Sequence, residues 1–108
     1  MKNIELPTVG EILKEEFMDP YHISAYFLAN SIGVPVSRIQ DIIHGRRAVS
    51  LDTSIRLGKF FGISERYFLN IQLDLDSRKI HLDNKESLER ITPFKYAQKA
   101  IKTHEKTS

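Results

Sequence analysis

The sequence predicts an all-α domain of five short helices, followed by a short C-terminal extension. Three observations predict it. Apolar residues recur every three or four positions from Val9 to Leu75, and no alternating run of strand length interrupts residues 1–79. Capping residues Thr8, Ser24, Ser50 and Ser64 stand just ahead of these stripes. Gly33, Gly45 and Gly62 stand just behind three of them, where a left-handed residue closes a helix.

Each element follows from its own residues. Thr8 and Glu11 form a T-x-x-E capping box, so the first helix starts near Val9. Ile12, Leu13 and Phe17 lie about one turn apart as its buried face, and Asp19-Pro20 ends it. Ser24 caps a second helix with Phe27, Leu28 and Ile32 as its stripe, closed by Gly33. Pro35 suits a helix start, so a third helix runs from about Val36 to His44, with Val36, Ile39, Ile42 and Ile43 inward. Ser50 caps a fourth, carrying Ile55, Leu57, Phe60 and Phe61. Ser64 caps a fifth, with Tyr67, Phe68, Ile71 and Leu75 at helical spacing.

Past Lys79 the pattern weakens. Ile80-His81-Leu82 reads as a short strand or the frayed end of the fifth helix, and Asp83-Asn84 as a turn. Residues 86–91 suit one helical turn. Phe94, Ala97 and Ile101 face away from Lys95, Lys99, Lys102 and Lys106, the pattern of an amphipathic helix or a solvated tail. The chain thus divides into a domain over 1–80 and an extension over 81–108, given to dimerisation or partner contact.

Composition narrows the function classes. With 108 residues there is room for one core. The absence of cysteine excludes a disulfide scaffold and Cys-ligated metal, and is compatible with a reducing cytoplasm. No 18-residue apolar run suggests a membrane span, and Met1–Pro7 lacks the apolar stretch of a secretory signal. His22, His44, His81 and His104 are scattered without metal-site spacing, and there is no Gly-rich phosphate loop. The sequence therefore predicts neither an enzyme nor a bound metal or cofactor. Net charge is +2, but it is unevenly spread: residues 1–20 sum to −3, residues 21–66 to +3, and residues 94–108 to +3.

The basic middle segment coincides with a specific pattern. A helix-turn-helix packs two short helices through a very short turn. Ala29 is the small residue that close packing needs, and Gly33, four later, tolerates positive φ in the turn. Leu28, Ile32, Val34, Ile39 and Ile42 fill the facing apolar positions. Such a motif places the N-terminal residues of its second helix against base edges in the major groove. Here those are Val36, Ser37 and Arg38, with Asp41 one turn on. Arg38 matches the two acceptors of guanine, Val36 a thymine methyl, and Ser37 either kind of group. Asp41 can accept from cytosine or orient Arg38. Tyr26, Gln40, His44, Arg46 and Arg47 are the candidate phosphate contacts, which position the protein without specifying sequence.

At this point the residues resemble a known family. Val9-Gly10-Glu11-Ile12-Leu13-Lys14-Glu15-Glu16-Phe17, Ser24-Ala25-Tyr26 and Leu28-Ala29 are similar to the HigA-type antitoxins, also labelled virulence-associated protein I, within the Xre/Cro-like repressors. Gly33-Val34-Pro35, Ser37-Arg38-Ile39 and Ile42-Ile43-His44-Gly45-Arg46-Arg47 look like the recognition region of that family. Asp52-Thr53, Arg56-Leu57, Phe60-Phe61-Gly62, Phe68-Leu69-Asn70-Ile71-Gln72 and Asp74-Leu75 extend the match across residues 7–79. The resemblance implies a five-helix Cro/phage-repressor-like domain, dimeric through its C-terminal part. It implies neutralisation of a co-encoded RelE-like (HigB-type) toxin that cleaves mRNA, and repression of the operon at a palindromic operator. A stand-alone Xre-type regulator without a toxin partner is the alternative. Phe68 stands where the family usually has Trp, and residues from about Lys85 match no family motif.

Dimerisation also has a physical basis. One short recognition helix buries too little to hold an operator, whereas two copies about 34–36 Å apart read successive major grooves. Tyr67, Ile71, Leu75, Ile80 and Leu82 are the candidate dimer surface. The expected partners are thus double-stranded operator DNA, a toxin protein and a second copy of the chain, in the bacterial cytoplasm and not at a membrane.

Overall fold

The computed structural model describes residues 6–95. All regular structure among them is helical. Helix α1 spans Val9–Ile12 and continues without a break as a π-helical stretch, Leu13–Met18, and a 3-10 turn, Asp19–Tyr21. There follow α2 (Ala25–Ile32), α3 (Val36–Ile43), α4 (Leu51–Phe61), α5 (Tyr67–Asp83) and α6 (Lys85–Glu89).

The expected caps form at the first, second and fourth helices. The Thr8 hydroxyl accepts from the Glu11 N–H at 3.0 Å, and the Glu11 carboxylate accepts from the Thr8 N–H at 3.1 Å. Ser24 accepts from Phe27 N–H and Ser50 from Thr53 N–H. Each cap satisfies an N–H that the helix itself leaves open. Gly33 closes α2 at φ 77°, a conformation that costs an L side chain energy but not glycine.

Ser64 does not cap α5. Its hydroxyl accepts from the Arg66 N–H two residues on, shaping the turn, and Arg66 holds the cap position with no side-chain bond. The π stretch was not foreseen either. Leu13 and Met18 are both buried and lie five apart, the spacing a π-helix brings onto one line. An ordinary α-helix would turn one of them away from the core.

Val9, Leu13, Met18, Leu28, Ala29, Ile32, Val34, Ile39, Ile42, Val49, Leu57 and Phe68 form one buried cluster. Phe27, expected in the α2 stripe, is exposed; it leans on Phe60, ring centroids 6.3 Å apart. The inward line of α2 is Leu28, Ala29 and Ile32. Gly10 brings α1 against α3, since a Cβ there would collide with the carbonyl oxygen of Ile42. Phe17 packs on Phe68 and Phe61 at centroid distances of 5.0 and 5.2 Å, tying the π stretch to α4 and α5.

One buried and one half-buried polar side chain add long-range ties. Ser54 Oγ donates to the Glu65 carbonyl at 2.8 Å and accepts from the Leu69 N–H at 3.0 Å. Gln72 Oε1 accepts from the Val49 N–H at 3.1 Å, fixing the loop before α4 to α5. The fully buried Ser54 hydroxyl would be costly without such partners.

Helix α5 runs unbroken through Ile80-His81-Leu82, so the strand alternative does not occur and no structural break falls between residues 80 and 81. Only Asn84 separates α5 from α6, within the range where a turn was expected. The amphipathic pattern over Ala97, Lys99, Ile101, Lys102 and Lys106 lies outside the described residues. No helix among the described residues is long and apolar enough to cross a membrane.

Candidate nucleic-acid interface

Helices α2 and α3 are joined by Gly33, Val34 and Pro35. The Ala29 carbonyl accepts from both the Gly33 and Val34 N–H groups, at 2.9 and 3.0 Å. Ala29 is fully buried, as close packing of the two helices requires. Leu28, Ile32, Val34, Ile39 and Ile42 are buried with it, so the expected helix-turn-helix core assembles as a unit.

That burial leaves one face of α3 outward. Ser37 and Gln40 are exposed, Arg38 and Asp41 half-buried. Val36 is half-buried and packs on the core, which limits how much of it can meet a base. Tyr26, near the start of α2, is exposed.

The loop after α3 is folded back on the helix. Gly45 N–H donates to the Ile42 carbonyl, and the Arg46 and Arg47 N–H groups both donate to the Asp41 carbonyl, at 2.7 and 3.2 Å. The Asp41 carboxylate takes Arg46 at 3.1 Å through both Nε and Nη2. Asp41 therefore orients Arg46 rather than Arg38. Arg47 is exposed, and its side chain has no ion-pair partner among the described residues. His44 Nδ1 donates to the Gln40 carbonyl at 2.8 Å, so the ring can donate to a phosphate from Nε2 only when protonated.

Arg38 turns instead towards α4. Its Nη1 lies 3.8 Å from Asp52 Oδ2, while its Nε is buried and without a hydrogen-bond partner among the described residues. The same Asp52 oxygen accepts from Arg56 Nε at 3.0 Å. Arg56 Nη1 in turn donates to the Ile32 carbonyl at 2.9 Å, satisfying the C-terminal end of α2. Asp52 and Arg56 were not among the expected site residues. Their i,i+4 spacing signals the pair they form, but nothing local signals Arg38, fourteen positions earlier.

The candidate dimer residues divide. Tyr67 packs against Phe17 and Phe68, and Ile71 against the core, so both serve the monomer first. Leu75 is half-buried. Ile80 and Leu82 are exposed, and so is Leu73, which had not been singled out.

Comparison with known proteins matches this arrangement. Residues 14–68 match the family described as Helix-turn-helix. Virulence-associated protein I of Dichelobacter nodosus is 37% identical over 92 residues, covering 83% of this chain and 84% of that protein. The chain belongs to the HigA-type helix-turn-helix family. The solved structure of a HigA-family addiction-module antidote protein from Coxiella burnetii superposes with a TM-score of 0.77 at 33% identity, covering 84% of this chain and all of that one. Pseudomonas aeruginosa antitoxin HigA, solved with the higBA promoter, gives 0.77 at 30% identity, covering 83% and 99%. The turn glycine Gly33 and the Asp52–Arg56 pair lie within the matched residues 14–68, and the Thr8–Glu11 capping box lies just before them. Phe68 is fully buried in this HigA-type core.

Proposed function

We propose that this HigA-type protein is an antitoxin that neutralises a co-encoded RelE-like mRNA endonuclease and, as a dimer, represses its own operon in the bacterial cytoplasm. The observation that carries the DNA part is the outward face of α3. Ser37, Arg38 and Gln40 stand on a helix locked from behind by Ile39 and Ile42, next to the Arg46-Arg47 loop tied to Asp41. Base edges are met by Ser37 and Arg38, with Val36 at the margin. Phosphates are met by Arg47, Gln40, Tyr26 and Arg46, the last released from Asp41 or shared with it. That Pseudomonas aeruginosa antitoxin HigA was solved with the higBA promoter supports binding to DNA.

Toxin neutralisation rests on the family membership, and dimerisation on the exposed Leu73, Ile80 and Leu82 of α5. The test uses the gene and its neighbouring reading frame. Co-expression of the wild-type chain with the neighbour's product restores growth, and the wild type retards a duplex from its own promoter. Arg46→Ala/Arg47→Ala restores growth equally and no longer retards the duplex. Retardation without any growth rescue would leave a stand-alone regulator. Rescue without retardation by the wild type would remove the repressor role.

A further inference from the structure

The pairing of Arg38 with Asp52 has a consequence for discrimination between DNA sequences. A guanidinium on the exposed rim of a recognition helix is attracted to any phosphate, and that attraction is blind to sequence. Here the guanidinium is partly withdrawn. The Arg38 side chain is 31% exposed, against 61% for Arg46. Its acidic neighbour, Asp52, is anchored from the other side by Arg56, which is itself bonded to the end of α2. Asp52 is therefore held in place whether or not Arg38 stays with it.

The hold on Arg38 is loose. At 3.8 Å its contact with Asp52 is an ion pair beyond hydrogen-bond distance, and its Nε donor is unmet. Leaving Asp52 breaks no hydrogen bond to that residue. It does require an acceptor arrangement better than a carboxylate nearby. The paired O6 and N7 of guanine offer the guanidinium a bidentate, planar match only where the sequence places a guanine, whereas phosphates, which also accept the fork, recur at every step. Those phosphates are repelled by the Asp52 carboxylate, 61% exposed beside this edge.

We infer that Asp52 is a specificity-determining residue: it holds Arg38 back from non-cognate DNA and releases it to a correctly placed guanine. The inference rests on the proposed DNA-binding role of α3. Asp52 acts through Arg38 and is a positioning residue.

The test compares wild type with Asp52→Asn, which keeps an acceptor for Arg56 and removes the charge. Wild-type protein first selects duplexes from a random library, and affinities are then measured for the selected duplex and for its scrambled counterpart. Asp52→Asn is expected to tighten binding of the scrambled duplex by roughly three- to tenfold and to steepen its salt dependence by about one phosphate contact. Binding of the selected duplex changes by less than about twofold, so the ratio between the two duplexes falls. In an Arg38→Ala background, Asp52→Asn no longer lowers that ratio. An unchanged thermal melt shows that α4 is intact; if Asp52→Asn melts early, Asp52→Ser in an Arg56→Gln background gives the same comparison without the Arg56 pair. An unchanged ratio, or an equal fall with Arg38 absent, would overturn the role of Asp52 and leave the DNA reading standing. Failure of the wild type to enrich any sequence would overturn the DNA reading itself, and this inference with it.

Discussion

The helix-turn-helix core and the outer half of α5 are both helical, but they are held by different forces. In the core, Leu28, Ala29, Ile39 and Ile42 are all at most 1% exposed, and the aromatic group around Phe17 and Phe68 closes one side. Beyond Leu75, α5 presents Ile80 and Leu82 to solvent and is laced by exposed pairs, Arg78–Asp74 and Lys79–Asp83. Exposed i,i+4 pairs contribute only a few tenths of a kcal/mol each. The difference teaches that α3 is held in place by burial from behind, whereas the outer part of α5 leaves its apolar side chains in water.

The largest break in this contrast should come from Phe68. Phe68→Ala empties a fully buried site and should cost about 3–5 kcal/mol, read from urea unfolding. A loss below about 1 kcal/mol would mean that the aromatic group does not anchor α5. Gly10→Ala comes next. Its methyl would push α1 away from the Ile42 carbonyl, and a loss of about 3 kcal/mol is expected, with weaker DNA binding as α3 shifts. Normal stability in that variant would show that the α1–α3 approach is not close.

The outer region should respond in the opposite way. Leu73→Ser/Leu82→Ser should change the unfolding free energy of the monomer by less than about 0.5 kcal/mol, because both residues are already in water. The same variant should dissociate a dimer, seen as a lower mass in sedimentation at matched concentration. Stability lost at concentrations where the wild type is monomeric would move these residues into the monomer core.

What the sequence made legible follows the same division. The Thr8–Glu11 box, the Ser24 and Ser50 caps and the Gly33 turn were readable because each depends on residues three or four apart. The buried set of the helix-turn-helix was readable because its apolar period is strong. The exposed face of α3 was readable as what that burial leaves over. Partners across the fold were not. Arg38 finds Asp52, Ser54 finds Glu65, and Gln72 finds Val49, and no local pattern encodes those distances. Ser64 looked like a cap because serine suits both a cap and the turn it makes instead. Phe27 has the apolar type of an inward residue, but its angular offset on α2 turns it past Leu28 to the surface.

The central claim is that α3 reads bases with Arg38 while the loop after it holds phosphates with Arg47. Fluorescence anisotropy with the selected and scrambled duplexes, on Arg38→Ala and Arg47→Ala, tests it most directly. Arg38→Ala should lose about 1–3 kcal/mol on the selected duplex and far less on the scrambled one, relaxing sequence preference. Arg47→Ala should weaken both duplexes alike and reduce the salt slope by about one. Equal loss on both duplexes for Arg38→Ala would contradict the account and make Arg38 a phosphate contact.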